Sequence, residues 1–145
     1  FGLPGMRVLQ FAFDGSGDNP HLPHNQEADG VIYTGTHDND TTVSWFQQLD
    51  NAEQHRVTEY LGHPEEAMPW PLIRSAFASV ACTAIIPMQD LLGLGEGNRM
   101  NTPGTSSGNW QWRFDWQEVP EDLATRLRHQ LHIYGRLPDE PKKGN

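Results

Sequence analysis

The hydrophobic pattern of the chain changes period several times, and each change marks an element. Residues 6–13, Met-Arg-Val-Leu-Gln-Phe-Ala-Phe, are rich in β-branched and aromatic types and run into Asp14-Gly15-Ser16-Gly17-Asp18-Asn19-Pro20. A strand is predicted there, closed by the turn formers. A polar loop then reaches Gly30, and a second short strand is predicted at 31–36, leading directly into His37-Asp38-Asn39-Asp40. Beyond it the pattern turns helical. Thr41 and Thr42 can cap a turn carrying Val43, Trp45, Phe46 and Leu49, and Asp50 with Glu53 has capping-box spacing, predicting a helix over 52–61 that Gly62 stops. Pro69 and Pro71 suit the first turn of a third helix at 72–81. The apolar run 82–90 is predicted as a buried strand whose pairing Pro87 limits. A Gly-rich turn at 91–97 and a loop at 98–108 follow. Pro120-Glu121-Asp122 opens a last helix with Leu123, Leu127 and Leu131 on one face, and Gly135 can end it.

The order strand, strand, helices, strand, helix predicts an α/β fold with parallel strands joined by helical crossovers. Three strands can neither close a barrel nor cover both faces of a parallel sheet, so a slice of a larger α/β fold is expected. Composition agrees. In 145 residues the apolar share is 36%, below the usual ~45–50%, and mean hydropathy is -0.65. A length that would suit one domain therefore comes with a thin core. The 19 acidic against 10 basic residues give a net charge of -9, which disfavours a polyanionic partner and argues against nucleic acid. No apolar run approaches the ~18 residues of a membrane span, and the single cysteine, Cys82, rules out an internal disulfide. The chain starts at Phe1 rather than Met, so the natural protein is expected to be longer, with any targeting segment upstream.

Chemistry concentrates at Tyr33-Thr34-Gly35-Thr36-His37-Asp38-Asn39-Asp40-Thr41, where a strand ends in His, Asp and Asn. In α/β barrels the active site lies on the loops that follow the strands. Asp38 is a candidate catalytic carboxylate and His37 a candidate donor to a substrate hydroxyl. The competing reading is that Asp38, Asn39 and Asp40 cap the helix near Thr41. Asp38 and Asp40 are too few acids for a hard-cation site, and His129 with His132 lacks further ligands at zinc spacing, so no metal is expected. Asp90, at the expected end of the third strand, could reach the same site or serve as a buried hydrogen-bond acceptor. Phe13 could stack on a ligand if it ends the first strand, or belong to the core. Trp110, Trp112 and Trp116 alternate along 109–116, as on a strand packed by one face or on a platform for sugar rings. Arg99 and Asn101 lie in a Gly/Pro-rich loop of the kind that carries binding groups. Gly93-Leu94-Gly95-Glu96-Gly97 lacks the Lys and Ser/Thr of a phosphate-binding loop.

Five blocks, in order, resemble the 4-α-glucanotransferases (amylomaltases, or disproportionating enzymes). They are Phe1-Gly2-Leu3-Pro4-Gly5-Met6-Arg7-Val8-Leu9-Gln10-Phe11, the Tyr33 to Thr41 run, Gln89-Asp90-Leu91-Leu92-Gly93-Leu94-Gly95, Arg99-Met100-Asn101-Thr102-Pro103-Gly104, and Asn109-Trp110-Gln111-Trp112-Arg113. The resemblance implies the C-terminal part, about strands six to eight, of a (β/α)8 TIM barrel. Residues 1–137 would form that part, and 138–145 a flexible tail. It further implies a retaining transfer of an α-1,4-glucan segment to the 4-hydroxyl of an acceptor glucan or glucose. Retention needs a nucleophile and an acid/base about 5–5.5 Å apart. Both are implied to lie upstream of Phe1, so the chain would need the N-terminal remainder of the barrel and would be inactive alone. Asp38 is implied to be the transition-state stabiliser, His37 to bind sugar in the same subsite, and Asn101 and Phe13 to contact glucan. No metal or organic cofactor is implied. The setting would be cytoplasmic, or a plastid in a plant. An α-glucan hydrolase of related fold and a non-catalytic carbohydrate-binding module built on 110–116 are the alternatives.

Overall fold

The computed structural model of the protein describes residues 2–138. Phe1 and most of the expected tail, residues 139–145, lie outside the described residues. Three short strands, β1 (Met6–Val8), β2 (Val31–Tyr33) and β3 (Thr83–Ile85), form a parallel sheet in the order β1-β2-β3. Met6 pairs with Val31, and Val31 with Thr83. The connection from β1 to β2 is irregular, with 3-10 turns at Leu9–Phe11 and Pro23–Asn25. That from β2 to β3 carries α1 (Thr42–Gln48), α2 (Asn51–Tyr60) and α3 (Trp70–Ala78). After β3 come α4 (Met88–Leu91) and, beyond a long loop, α5 (Leu123–Ile133).

The parallel α/β arrangement is as the element order predicts, but the strands are shorter. β1 stops at Val8 because Gln10 is buried and must satisfy its amide. The 3-10 turn lets its backbone N–H donate to Thr34 O, and its Nε2 donates to Asp40 O at 3.0 Å. Extended pairing to residue 13 would point that side chain elsewhere. β3 stops before Pro87, which has no N–H for the ladder, and α4 starts at Met88. Residues 86–90, expected as the end of a strand, are thus mostly helical. The aromatic run 109–116 is not a strand. Trp110 has φ +63, and Asp115 with Glu118 forms a capping box on the 3-10 turn Trp116–Glu118.

Helix boundaries follow their caps. Thr41 Oγ1 accepts from Ser44 N at the start of α1, and both halves of the Asp50–Glu53 box are made at the start of α2. Gly62, at φ +77, ends α2 in a conformation that costs other residues strain. The sheet packs Leu9 and Ile32 against Leu72 and Ala76 of α3. A neighbouring face of α3, Trp70, Ile73 and Phe77, meets Leu123 of α5, with Leu127 and Leu131 alongside, so the leucine stripe of α5 faces inward as its spacing predicts. Arg136 closes this unit by donating to Phe77 O, Ser79 O and Ala81 O beyond the end of α3. The Arg126 guanidinium lies 3.4 Å from the Trp70 ring centroid and pairs with Glu66.

Candidate functional site

All three strands point the same way, and two connections meet beyond β2: the loop 35–41 and the loop 98–110. Gly35 leaves room for the side chains of Gln10 and Asn39. A Cβ there would lie 2.7 Å from Gln10 Nε2, 3.2 Å from Gln10 Cδ and 3.3 Å from Asn39 Cβ. The turn is tied by Asn39 Oδ1, which accepts from Thr36 N at 3.0 Å and Thr36 Oγ1 at 2.8 Å. Asp40 is likewise spent locally: Oδ1 accepts from Thr41 N, and Oδ2 from Ser44 Oγ and Gln48 Nε2.

Asp38 has a different environment. The capping role falls to Thr41, and the Asp38 carboxylate turns to the second loop. Asn101 Nδ2 donates to Asp38 Oδ1 at 2.7 Å, and His37 Nε2 lies 3.3 Å from the same oxygen. The backbone is fixed as well. Arg99 Nη2 donates to Asp38 O at 2.8 Å, and Asn101 N donates to His37 O at 3.1 Å. The His37 ring centroid sits 5.0 Å from that of Trp110, whose backbone N–H donates to Met100 O. Two loops separated by about sixty residues therefore converge on one carboxylate. The side chains of His37 and Asp38 are 57% and 50% exposed, so they remain open to a ligand. Beside them runs a cleft of about 360 Å³ lined by Tyr33, Thr36, His37, Asp40, Arg99 and Met100 among others. That volume is at the lower end of ligand sites.

The structure thus brings together His37, Asp38 and Asn101 and adds Arg99 and Trp110 to them. Phe13 is elsewhere. It does not end a strand, and its ring packs 6.0 Å from Trp45 and 5.6 Å from Tyr60. Asp90 is not at a strand end; it borders the same cleft but exposes almost no surface to it. It is 1% exposed on α4 and accepts from Thr34 Oγ1 and from Thr42 N and Oγ1, as its buried-acceptor reading has it. Burial holds its carboxyl above the usual carboxylate range, opposed by the Thr34 and Thr42 donors and helped slightly by the nearby Asp40 charge. Of the aromatic run, Trp112 donates Nε1–H to Asn98 Oδ1 and stacks on Phe114, while Trp116 is largely exposed. Among the described residues no three His, Cys, Asp or Glu side chains gather as a metal site requires, and no helix is long and apolar enough to cross a membrane.

Comparison with known proteins agrees in one direction. The family model described as 4-alpha-glucanotransferase matches residues 1–118. The chain is 54% identical over 140 residues to the chloroplastic/amyloplastic 4-alpha-glucanotransferase of Arabidopsis thaliana, covering 94% of this chain and 24% of that protein. It is 47% identical over 145 residues to the 4-alpha-glucanotransferase of Thermus thermophilus, covering 94% of this chain and 29% of that one. Among solved structures, an amylomaltase from Streptococcus agalactiae in complex with acarbose superposes with a TM-score of 0.90 at 35% identity, covering 94% of this chain and 28% of that one. The chain therefore spans about a quarter of the length of these relatives.

Proposed function

The chain belongs to the 4-alpha-glucanotransferase family, and from that premise we propose that it forms the C-terminal part, about strands six to eight, of the (β/α)8 barrel of such an enzyme. Residues 1–137 act as one unit of that barrel. The whole enzyme transfers an α-1,4-glucan segment to the 4-hydroxyl of an acceptor glucan or glucose with retention. The nucleophile and acid/base come from the N-terminal remainder, and this chain supplies the residues that stabilise the transition state. Its setting is the cytoplasm of a bacterium or the plastid of a plant.

The observation that carries this reading is the carboxylate that caps nothing. Asp38 makes no helix cap, and its Oδ1 is instead met by Asn101 Nδ2 and lies close to His37 Nε2, at the rim of the cleft that His37 lines. A carboxylate fixed in this way favours the positive charge that develops on an oxocarbenium-like glycosyl centre. Asn101 holds the carboxylate and Arg99 the Asp38 backbone carbonyl, so little reorganisation is needed as the charge appears. His37 packs beside Trp110 with its ring largely exposed and is placed to hydrogen-bond a sugar hydroxyl, and the exposed Trp110 face suits the C–H face of a sugar. The role of Phe13 as a glucan contact rests on the resemblance alone.

A label-transfer assay tests the reading. Full-length enzyme is incubated with maltotriose and radiolabelled glucose. Label is expected in maltose and longer maltodextrins, and acarbose is expected to compete. Release of glucose with no labelled oligosaccharide would replace transfer by hydrolysis. The isolated 145-residue chain should give neither product. Turnover by the pure chain would contradict the assignment of the bond-breaking residues to the missing part.

A further inference from the structure

We propose that Asp90 is a positioning residue: its buried carboxylate clamps the two ends of the loop that presents His37 and Asp38. The inference rests on the assignment of Asp38 to transition-state stabilisation. Thr34 directly follows β2 and Thr42 opens α1, and Asp38 lies four residues from each. One carboxylate oxygen, Oδ2, accepts from both ends at once, from Thr34 Oγ1 at 2.6 Å and from Thr42 Oγ1 at 2.7 Å. The other, Oδ1, accepts from Thr42 N at 2.7 Å, a donor that the first turn of α1 leaves without a helical partner. Thr34 and Thr42 are fully buried, so water does not compete for these bonds.

Gln10 adds a second tie across the same gap, donating from Nε2 to Asp40 O and, at 3.5 Å, to Thr42 Oγ1. The loop 35–41 is therefore closed like a staple, its ends fixed and its tip free to carry the functional pair. The element that bears Asp90 also launches the partner loop. Gly93 N donates to Asp90 O and Leu94 N to Gln89 O as α4 ends, and the chain then runs directly to Arg99 and Asn101. Loosening Asp90 would disturb both holders of Asp38 together. Packing alone does not call for this residue, since an apolar side chain fills a buried site without the desolvation cost of a carboxylate.

The test uses full-length enzyme carrying Asp90→Ala, Asp90→Asn and Asp38→Asn, and both doubles of the Asp90 changes with Asp38→Asn. Turnover of maltotriose is measured per folded enzyme, well below the unfolding temperature of each variant. A displaced catalytic group costs on the order of tenfold to a hundredfold in rate. Asp90→Ala is expected to lose kcat in that range while the maltotriose KM stays within about threefold. Asp90→Asn, which keeps the shape and one acceptor oxygen, should recover part of the loss. In the Asp38→Asn background neither Asp90 change should lower kcat further, because Asp90 acts through Asp38. Normal kcat in both Asp90 variants, or losses that multiply with that of Asp38→Asn, would overturn the proposal and leave Asp90 a purely structural residue. If Asp90→Ala does not fold, Asp90→Asn and its double carry the same comparison. Wild-type kcat in Asp38→Asn alone would instead remove the premise and identify the failed step as the role of Asp38.

Discussion

Gly35→Ala in the full-length enzyme isolates the geometry of the functional loop without touching a functional side chain. The new methyl would sit 2.7 Å from Gln10 Nε2 and 3.3 Å from Asn39 Cβ, where ordinary contact begins near 3.4 Å. Gln10 must retreat by more than half an ångström, which strains its 3.0 Å bond to Asp40 O because the side chain is buried. Overpacking of this kind costs about 1–3 kcal/mol, and loss of the strained hydrogen bond adds about 1 kcal/mol. The sum, about 2–4 kcal/mol of local stability, corresponds to amide exchange in residues 35–41 faster by roughly 30- to 700-fold, at 1.4 kcal/mol per decade. Hydrogen–deuterium exchange by mass spectrometry reads this directly, and kcat should fall in parallel as Asp38 loses its fixed position. Gly17→Ala is the control, since a Cβ there meets nothing within 4 Å. Unchanged exchange and kcat in Gly35→Ala would refute the account of why glycine occupies this turn.

Other expectations concern the scaffold. His21 Nδ1 accepts the Val8 N–H at 2.9 Å, and burial, with Arg7 adding to it and Asp14 opposing, holds its pKa below the usual value of about 6.5. A histidine depressed in the folded state stabilises it above the unfolded pKa and loses that contribution as pH falls through the folded one. Exchange in the 9–22 region, corrected for intrinsic rate, should therefore accelerate from pH 7 to pH 5, and His21→Gln should abolish this step. A pH-independent wild type would refute the link. Removing the helix caps by Thr41→Ala or Asp50→Ala should each cost about 0.5–2 kcal/mol, read as an earlier unfolding midpoint. The two effects should be similar, since Asp50→Ala removes only the bond from Glu53 N and leaves the residue-50 N–H donating to Glu53, while Thr41→Ala likewise removes the single bond from Ser44 N.

Local chemistry was legible in the sequence and distant pairing was not. The Asp50–Glu53 box placed α2 and the leucine spacing oriented α5, because caps and stripes depend on residues three or four apart. Strand lengths were overestimated because β-propensity ignores the side chain that must be satisfied. Gln10 bends the chain off the sheet, and its partners are 30 and 32 positions away. The aromatic alternation of 110–116 mimics a strand, but the structure ends it in a 3-10 turn capped by Asp115 and Glu118. At the site, the residues alone left open whether Asp38 caps a helix. Two observations decide it: Thr41 is the cap, and Asn101, 63 positions on, takes the Asp38 carboxylate. Asp90 pairs with groups 48 and 56 residues away, which no spacing rule reaches.

The central claim is that Asp38 stabilises the transition state without anchoring the substrate. It is tested most directly by steady-state kinetics of Asp38→Asn in the full-length enzyme. The swap keeps shape and removes charge, so kcat for maltotriose should fall about 10²–10³-fold, the cost of losing one preorganised electrostatic group, while KM changes little. A kcat close to wild type, or a loss confined to KM, would contradict it.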